Sequence, residues 1–258
     1  LTQNQWFPRA FNDWRFVLLV MIGSLAIFPD LGNATILFLV ALLMYSISGI
    51  AHRWFATILG VLTSLSFVSL TTIKLVGVDK FSKIPVFGYV AKRFSAFFNP
   101  FDDVAGAGHQ LANSYYAMVN GGWFGLGLGN SIEKRGYLPE AHTDFVFSIV
   151  IEEFGFVGAS LILALLFFLI LRIILVGVRA KDPFNSMVAI GIGGMILIQV
   201  FVNIGGISGL IPSTGVTFPF LSQGGNSLLV LSVAIAFVLN IDASEKRAKL
   251  YSEYEAQL

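Results

Sequence analysis

The chain has 258 residues, of which 56% are hydrophobic and only 12% are charged, and its formal net charge at pH 7 is +1. An average soluble domain has about 25% charged residues, so this composition excludes a soluble globule and a disordered segment. Because the chain has no basic block and no Cys, nucleic-acid binding, disulfides, thiolate metal sites and a Cys nucleophile are excluded as well.

Six apolar segments are long enough, or nearly long enough, to cross a bilayer as helices, which takes about 20 residues each. In chain order they cover residues 14–29, 33–52, 54–78, 145–178, 186–211 and 226–241. A hydrophilic loop at 79–144 separates the third segment from the fourth, and a charged tail follows at 242–258. We therefore predict one membrane domain over residues 1–258, an all-α polytopic transmembrane bundle with a long extracellular loop that carries short helices.

Basic residues in the short connections predict the orientation, because Lys and Arg concentrate on the cytoplasmic side. If the six segments alternate, one side holds Arg9, Arg15, Arg53, Arg172, Arg179, Lys181, Lys246, Arg247 and Lys249. The connections at 29–33 and 212–226, on the other side, contain neither Lys nor Arg. Both ends of the chain are therefore predicted to be cytoplasmic and the long loop extracellular.

Three carboxylates lie at or inside the fourth segment, where ionisable groups are costly and usually face protein or a watery cavity. Asp144 stands at its start, and Glu152 and Glu153 follow about two turns later. Helical spacing would place Asp144, Ser148 and Glu152 on one stripe. These carboxylates either cap and pair at the helix start as structural charges or form part of a functional site there.

Two Gly-rich stretches are unusual for a membrane protein. Residues 212–226 contain two Pro, three Gly and no charge, which is typical of an irregular or re-entrant connection. Gly224 and Gly225, just before a helix, either form a tight turn or bind phosphate through free backbone amides. The second stretch, residues 121–129, has no P-loop ending, and its aromatic residues suit an interfacial loop that contacts lipid.

Motifs spread along essentially the whole chain resemble the SEDS family of cell-wall polymerases. The most specific is Tyr-Leu-Pro-Glu-Ala-His-Thr-Asp-Phe at residues 137–145. It is accompanied by similar motifs at 29–32, 93–100, 106–110, 125–131, 152–155, 203–205, 212–219 and 222–227. Ala141 and Thr217 are more similar to the division branch of the family than to its elongation branch.

Some positions depart from the family pattern. The family often has Tyr at the positions of His109 and Gln223, Ser or Thr at that of Asn226, and in some members Glu at that of Gly136. A further family motif, Gln-Pro-x-Glu, lies upstream of everything present, and the six segments resemble the last six of ten. With Leu1 as the first residue, the chain is therefore expected to be a fragment that lacks the N-terminal spans.

The resemblance implies a peptidoglycan glycosyltransferase that polymerises lipid II into glycan strands during cell division. Its place would be the cytoplasmic membrane of a bacterium, at the division septum. Its implied partners are lipid II, the nascent lipid-linked glycan, membrane lipid, a class B penicillin-binding transpeptidase and other division proteins. A divalent cation such as Mg²⁺ or Mn²⁺ could help to neutralise the diphosphate, although the sequence has no cluster of metal ligands.

The resemblance and the chemistry together predict the site residues. We expect Asp144 to be the general base that takes the proton of the acceptor sugar hydroxyl. Arg93 and Lys134 are expected to neutralise the leaving diphosphate, although both could equally be solvated loop charges. The other predicted substrate-binding residues are Glu140, His142, Thr143, Glu152, Glu153, Ser222, Gly224, Gly225 and Ser227.

Two other functions are compatible with the same sequence. A lipid II flippase would also use Glu152, Glu153 and interrupted helices, but it would need no base and would form no polymer. A non-catalytic division scaffold would bind the transpeptidase through its outer loop and helix faces. The small-residue face at residues 191–194 suits such close helix contact, or packing within the bundle.

Overall fold

The computed structural model describes residues 31–47 and 88–255, with a few isolated positions between 57 and 72. The predicted segment 14–29, most of 54–78 and the first part of the long loop lie outside the described residues. Within them the chain is helical, without strands, which confirms the predicted all-α class. The helices are α1 (Leu31–Ile47), α2 (Gly88–Phe98), α3 (His109–Gly121), a short 3-10 helix (Glu133–Arg135), α4 (Val146–Arg179), α5 (Pro183–Ile207) and α6 (Gly225–Glu255).

Three of the described helices, α4, α5 and α6, are long and apolar enough to cross a membrane. Their exposed surfaces carry large apolar side chains, among them Leu161, Leu165 and Phe168 on α4 and Leu229 and Phe237 on α6. An exposed apolar surface of this extent is costly in water. It is the expected outer surface of a membrane protein, whose helices contact lipid.

Helix α5 begins earlier and ends earlier than the apolar segment 186–211 from which it was predicted. At its start the Asp182 side chain accepts hydrogen bonds from the backbone N–H groups of Phe184 and Asn185, both at 3.4 Å, and Pro183 occupies the first turn. At its end Gly209 adopts a φ of +70°, and the Leu210 N–H turns back to the Gly205 carbonyl at 2.9 Å. Hydropathy alone did not reveal this turn, because the residues in it are still apolar.

Helix α6 runs without interruption through the predicted membrane segment 226–241 and into the charged tail. Along the tail, Lys246 pairs with Asp242 at 2.6 Å and Lys249 with Glu253 at 3.7 Å. Both pairs are four residues apart and exposed, so they support the helix only modestly.

Close packing of α5 between α1 and α4 forms the centre of the bundle. Glycines permit this approach: a Cβ atom on Gly193 would lie 2.7 Å from Ile174 of α4, and one on Gly191 would lie 2.7 Å from the Met44 sulfur of α1. The small-residue face at 191–194 therefore packs within the bundle. The same packing fixes the end of α5 beside the start of α4, where Asp144 lies.

Candidate functional site

Asp144 lies two residues before α4 and is half-buried. It borders a small cavity whose other walls are the end of α5, including Asn203 and Ile207, and the connection after α5, including Gly215 and Val216. The chain reaches Asp144 through a tight turn in which Glu140 adopts a φ of +57° and its carbonyl accepts from the Phe145 N–H at 3.3 Å. A left-handed Glu is uncommon, and such strain is often found at functional sites.

Asn203 ties the backbone of Asp144 to the connection that follows α5. Its side chain is 3% exposed, and its Nδ2 donates to the carbonyl oxygens of Asp144 at 2.7 Å and of Val216 at 2.6 Å. One buried amide therefore sets the spacing between two chain segments that are far apart in sequence. Asn203 belongs to the family-like motif at 203–205, but no role was predicted for it; the available signal was an amide inside a mostly apolar span.

The connection from residue 212 to 224 is docked onto the turn before α4 by further hydrogen bonds. The Ser222 hydroxyl donates to the Thr143 carbonyl at 2.7 Å and accepts from the Phe218 N–H at 2.7 Å. The Gln223 N–H donates to the His142 carbonyl at 2.8 Å. Because these bonds join backbone to backbone or use the buried Ser222 side chain, the connection acts as a fixed wall of the cavity.

A stacked aromatic pair, Phe147 of α4 and Phe218 of the connection, also holds the connection against α4. The rings of Phe147 and Phe218 lie 4.7 Å apart and are nearly parallel, at 4°. Phe218 is 1% exposed and belongs to the main hydrophobic core. A contact of this kind contributes about 0.5–1.5 kcal/mol beyond the area it buries.

Arg93, on α2, contacts the connection after α5, whose residues Ser213 and Gly215 line the cavity. Its Nη1 donates to the Ser213 carbonyl and lies 3.4 Å from the Ser213 hydroxyl. A Cβ atom built on Gly215 would lie 3.1 Å from Arg93 Nη2 and 3.2 Å from Asp144 Oδ2. The guanidinium and the carboxylate therefore face one small space next to Gly215, whose φ of +78° and missing side chain leave that space open.

Glu152, Glu153 and Lys134 form a second cluster, on a different side of α4. Glu152 is fully buried. Its carboxylate accepts hydrogen bonds from the Ser131 hydroxyl, the N–H groups of Ile132 (3.1 Å) and Glu133 (3.3 Å), and Asn120 Nδ2 (3.3 Å). Lys134 Nζ forms an ion pair with the neighbouring Glu153. These bonds attach the connection between α3 and α4 to the body of α4. Burial, and to a smaller degree the Glu152 carboxylate, raise the pKa of Glu133.

The predicted stripe of Asp144, Ser148 and Glu152 is divided between these two places. Because α4 begins only at Val146, helical spacing does not extend to Asp144. Ser148 faces α3, where its hydroxyl lies 2.7 Å from that of Ser114, and Glu152 faces the connection beyond α3. Asp144 alone of the three borders the cavity.

The remaining predicted residues lie in the turn before α4 and at the start of α6, and none of them lines the cavity. The Glu140 and His142 side chains are exposed, and the Thr143 hydroxyl donates to Glu140 Oε2 at 2.7 Å. At the start of α6 the Ser227 hydroxyl donates to the Gly224 carbonyl at 2.9 Å, and Gly225 is the first residue of the helix. No group of three His, Asp or Glu side chains within the described part of the chain is arranged to hold a metal ion.

Comparison with known proteins supports the family resemblance. The family model described as cell cycle protein FTSW_RODA_SPOVE matches residues 4–247. The probable peptidoglycan glycosyltransferase FtsW of Lactococcus lactis subsp. lactis (strain IL1403) is 54% identical over 244 residues, which cover 95% of this chain and 58% of that protein. The protein of the same name from Bacillus subtilis (strain 168) is 42% identical over 235 residues, 91% of this chain and 56% of that protein. The chain thus spans little more than half the length of these relatives.

A solved structure has the same fold. It is described as showing the structural coordination of polymerization and crosslinking by a peptidoglycan synthase complex. The sequence identity is 25% and the TM-score is 0.66, and the match covers 89% of this chain and 60% of that chain. Together with the three membrane-crossing helices, these similarities confirm the SEDS resemblance and indicate a bacterial membrane protein. The chain belongs to the FtsW, RodA and SpoVE family of cell cycle proteins.

Proposed function

We propose that the whole protein is a peptidoglycan glycosyltransferase that polymerises lipid II, and that this chain carries its catalytic carboxylate. The observation that carries the proposal is the placement of Asp144 and Arg93 around one open space beside Gly215. A base and a cation side by side are what the transfer of a sugar from a diphosphate carrier requires. The names of the relatives, which describe peptidoglycan glycosyltransferases, supply the substrate class.

In the proposed reaction the Asp144 carboxylate accepts the proton of an acceptor sugar hydroxyl. The hydroxyl oxygen forms a bond to the anomeric carbon of the lipid-diphosphate-linked strand. The bond from that carbon to the diphosphate oxygen breaks, and the diphosphate leaves with the bonding electron pair. The Arg93 guanidinium, already held beside the space by Ser213, stabilises the negative charge that develops on the diphosphate.

The proposed cellular setting follows from the predicted orientation and from the family. The six segments would form one membrane domain with both chain ends in the cytoplasm, which places Asp144 at the outer face of the membrane. The protein would act at the division septum together with a class B penicillin-binding transpeptidase. The similar solved structure supports a partner of this kind, since it is described as a synthase complex that both polymerises and crosslinks.

The experiment is to supply purified lipid II to the full-length protein in vesicles, with and without its transpeptidase, and to separate the glycan products by length. The proposal predicts glycan strands when the partner is present. A flippase would move lipid II across the bilayer without forming strands, and a scaffold would bind the transpeptidase without any turnover. Either result, with correctly folded protein, would overturn the proposal.

A further inference from the structure

Helix α4 is interrupted at Gly155, whose φ of 70° and ψ of −179° are not helical. An unbroken helix would direct the N–H groups of Phe156 and Val157 to the carbonyls of Glu152 and Glu153. Here the Phe156 N–H donates to Gly122 at 2.9 Å and the Val157 N–H to Trp123 at 3.1 Å. The partners of these amides therefore come from the chain segment that follows α3.

The two carbonyls released by the interruption are also satisfied by that segment. The Leu126 N–H donates to the Glu152 carbonyl at 2.9 Å, and the Gly127 N–H donates to the Glu153 carbonyl at 2.9 Å. Four hydrogen bonds between segment and helix thus replace two within the helix. These four bonds hold the segment against the interruption of the helix.

Glycines are required for this close contact. A Cβ atom on Gly125 would lie 2.5 Å from the Gly155 nitrogen, and one on Gly155 would lie 2.5 Å from the Phe124 nitrogen, distances that real Cβ atoms do not adopt. Both residues also have a positive φ. Backbone approach at the interruption therefore explains the glycines at 125 and 155.

The interruption lies within the uncharged stretch of α4. Between Glu153 and Arg172 the helix has no charged residue. At 1.5 Å per residue this stretch is about 27 Å long, close to the thickness of about 30 Å of a bilayer core. Phe156 and Val157 lie three to four residues after Glu153, which is roughly 5 Å inside this uncharged stretch.

The side chains of the segment are apolar and point away from the protein. Trp123 is 68% exposed, Phe124 83% and Leu128 75%, and residues 121–129 include no charge. The Trp123 ring meets Phe156 edge to face at 5.5 Å, which joins this surface to the exposed apolar face of α4. The segment therefore continues the lipid-facing surface of a membrane-crossing helix.

We propose that residues 121–129 form a re-entrant insert whose Trp123, Phe124 and Leu128 side chains contact the acyl chains of the lipid leaflet next to Asp144, below the level of the headgroups. Irregular backbone is tolerated at that depth only when its polar groups are paired, and four hydrogen bonds with α4 pair the backbone groups that meet at the interruption. The occupant of this surface is membrane lipid, and the inference does not depend on the proposed enzymatic function.

The test places a nitroxide spin label at Phe124→Cys or Leu128→Cys in the full-length protein, without other cysteines, in vesicles of phosphatidylethanolamine and phosphatidylglycerol. Relaxation by oxygen, which concentrates in the hydrocarbon, is compared with relaxation by a water-soluble nickel complex. Leu161→Cys on α4 is the lipid control, and Asp102→Cys, exposed on the same long loop, is the aqueous control. The proposal predicts an oxygen-to-nickel ratio several-fold higher at the two insert positions than at the aqueous control.

Two results would overturn the proposal. If the nickel complex reaches the insert labels as readily as it reaches the label on Asp102→Cys, the segment is a solvated loop. If both reagents are excluded, another part of the protein or a second protein covers the surface. Because the labelled side chains point outward and leave the glycine contacts intact, either outcome can be read from folded protein.

Discussion

Arg93 and Asp144 face the same small space beside Gly215, with the guanidinium Nη2 and the carboxylate Oδ2 at 3.1 Å and 3.2 Å from the point where a Cβ atom would stand. Neither residue reaches this position through local sequence alone. Arg93 is held by the Ser213 carbonyl, and the Asp144 backbone is held by Asn203. Asn203 on α5 and the connection after α5 therefore organise the two groups, and changes at either place should affect catalysis.

Replacement of Gly215 by Ala should disturb both groups at once. The methyl group would occupy the space that they share, and the φ of +78° would cost about 1–2 kcal/mol for a residue with a Cβ atom. We expect a loss of polymerisation of at least about tenfold, equivalent to roughly 1.4 kcal/mol of transition-state stabilisation. Gly129→Ala is the matched control, because Gly129 has a φ of +84° with no atom near its Cβ position. Equal activities of the two variants would contradict the account.

Replacement of Asn203 by Ala should reduce activity through the position of Asp144. It leaves the Asp144 and Val216 carbonyls without their donor, at a cost of about 1–3 kcal/mol for each buried group. Gln199→Ala is the control, since Gln199, one turn earlier on α5, donates through its Nε2 to the Thr217 carbonyl of the same connection at 2.9 Å.

The measurement for this pair is the polymerisation rate at saturating lipid II, with the melting temperature of each variant. Both variants should lose stability, and Asn203→Ala should lose about tenfold or more in kcat with a small change in KM, the pattern expected when only the transition state loses an interaction. A fall in kcat that is the same for both variants would show that Asn203 has only a structural role.

Glu152→Gln should loosen the connection between α3 and α4. Both carboxylate oxygens of Glu152 accept hydrogen bonds, including those from the Ile132 and Glu133 N–H groups. The NH2 group of a Gln side chain cannot accept a hydrogen bond, so one of these two N–H groups would lose its acceptor. We expect a loss of about 2–4 kcal/mol in stability, with faster hydrogen exchange at the Ile132 and Glu133 amides. Glu153→Gln should cost less, about 1 kcal/mol, because its Lys134 partner is partly exposed. Lower polymerisation by Glu152→Gln at unchanged stability would instead indicate contact with substrate.

The buried Glu133 side chain predicts a pH effect with a definite sign. Its Oε2 has no hydrogen-bond partner, and burial together with Glu152 raises its pKa above the ordinary value of 4.5. The folded state therefore keeps this proton to higher pH than the unfolded chain does. Stability should fall as pH rises from the ordinary value through the raised one, and then level off.

Glu133→Gln should remove that fall. At pH 7 the variant should melt at the same temperature as the wild type or a few degrees higher, since about 1 kcal/mol corresponds to roughly 2–4 °C in a chain of this size. The check is the melting temperature of both proteins in detergent between pH 4 and pH 8. If the variant became less stable than the wild type only at the upper end of this range, the sign of the effect would be wrong.

The helices that could be predicted from the sequence are those that depend only on the residues within them. Apolar length was sufficient to place α4, and the charged tail of α6 continues a helix that its apolar part had already begun. The end of α5 was misplaced because the turn at Gly209 depends on one backbone angle within an apolar stretch. The sequence also left open whether Glu152 is a structural or a functional charge. The answer depends on the hydrogen-bond donors that surround its carboxylate, Ser131 and Ile132 among them, and only the fold brings these to α4.

The site itself was predicted only in part. Asp144 and Arg93 were both expected to be functional, but their meeting beside Gly215 depends on how the connection after α5 docks against the turn before α4. Asn203 had no assigned role, because an amide in a mostly apolar span has the same appearance in the sequence whether it faces a neighbouring helix or a site. Lys134 was expected to bind the diphosphate. In the structure it pairs with Glu153, a contact that the sequence could not predict because it depends on the fold of the connection beyond α3.

The most direct test of the central claim is the rate at which the full-length protein and its transpeptidase polymerise lipid II when Asp144 is changed to Asn. Asp102→Asn is the matched control, because Asp102 is an exposed carboxylate on the same loop that does not line the cavity. Loss of a general base predicts a rate at least about 100-fold lower for Asp144→Asn, with unchanged melting temperature and near wild-type activity for Asp102→Asn. Full polymerisation by correctly folded Asp144→Asn would contradict the account.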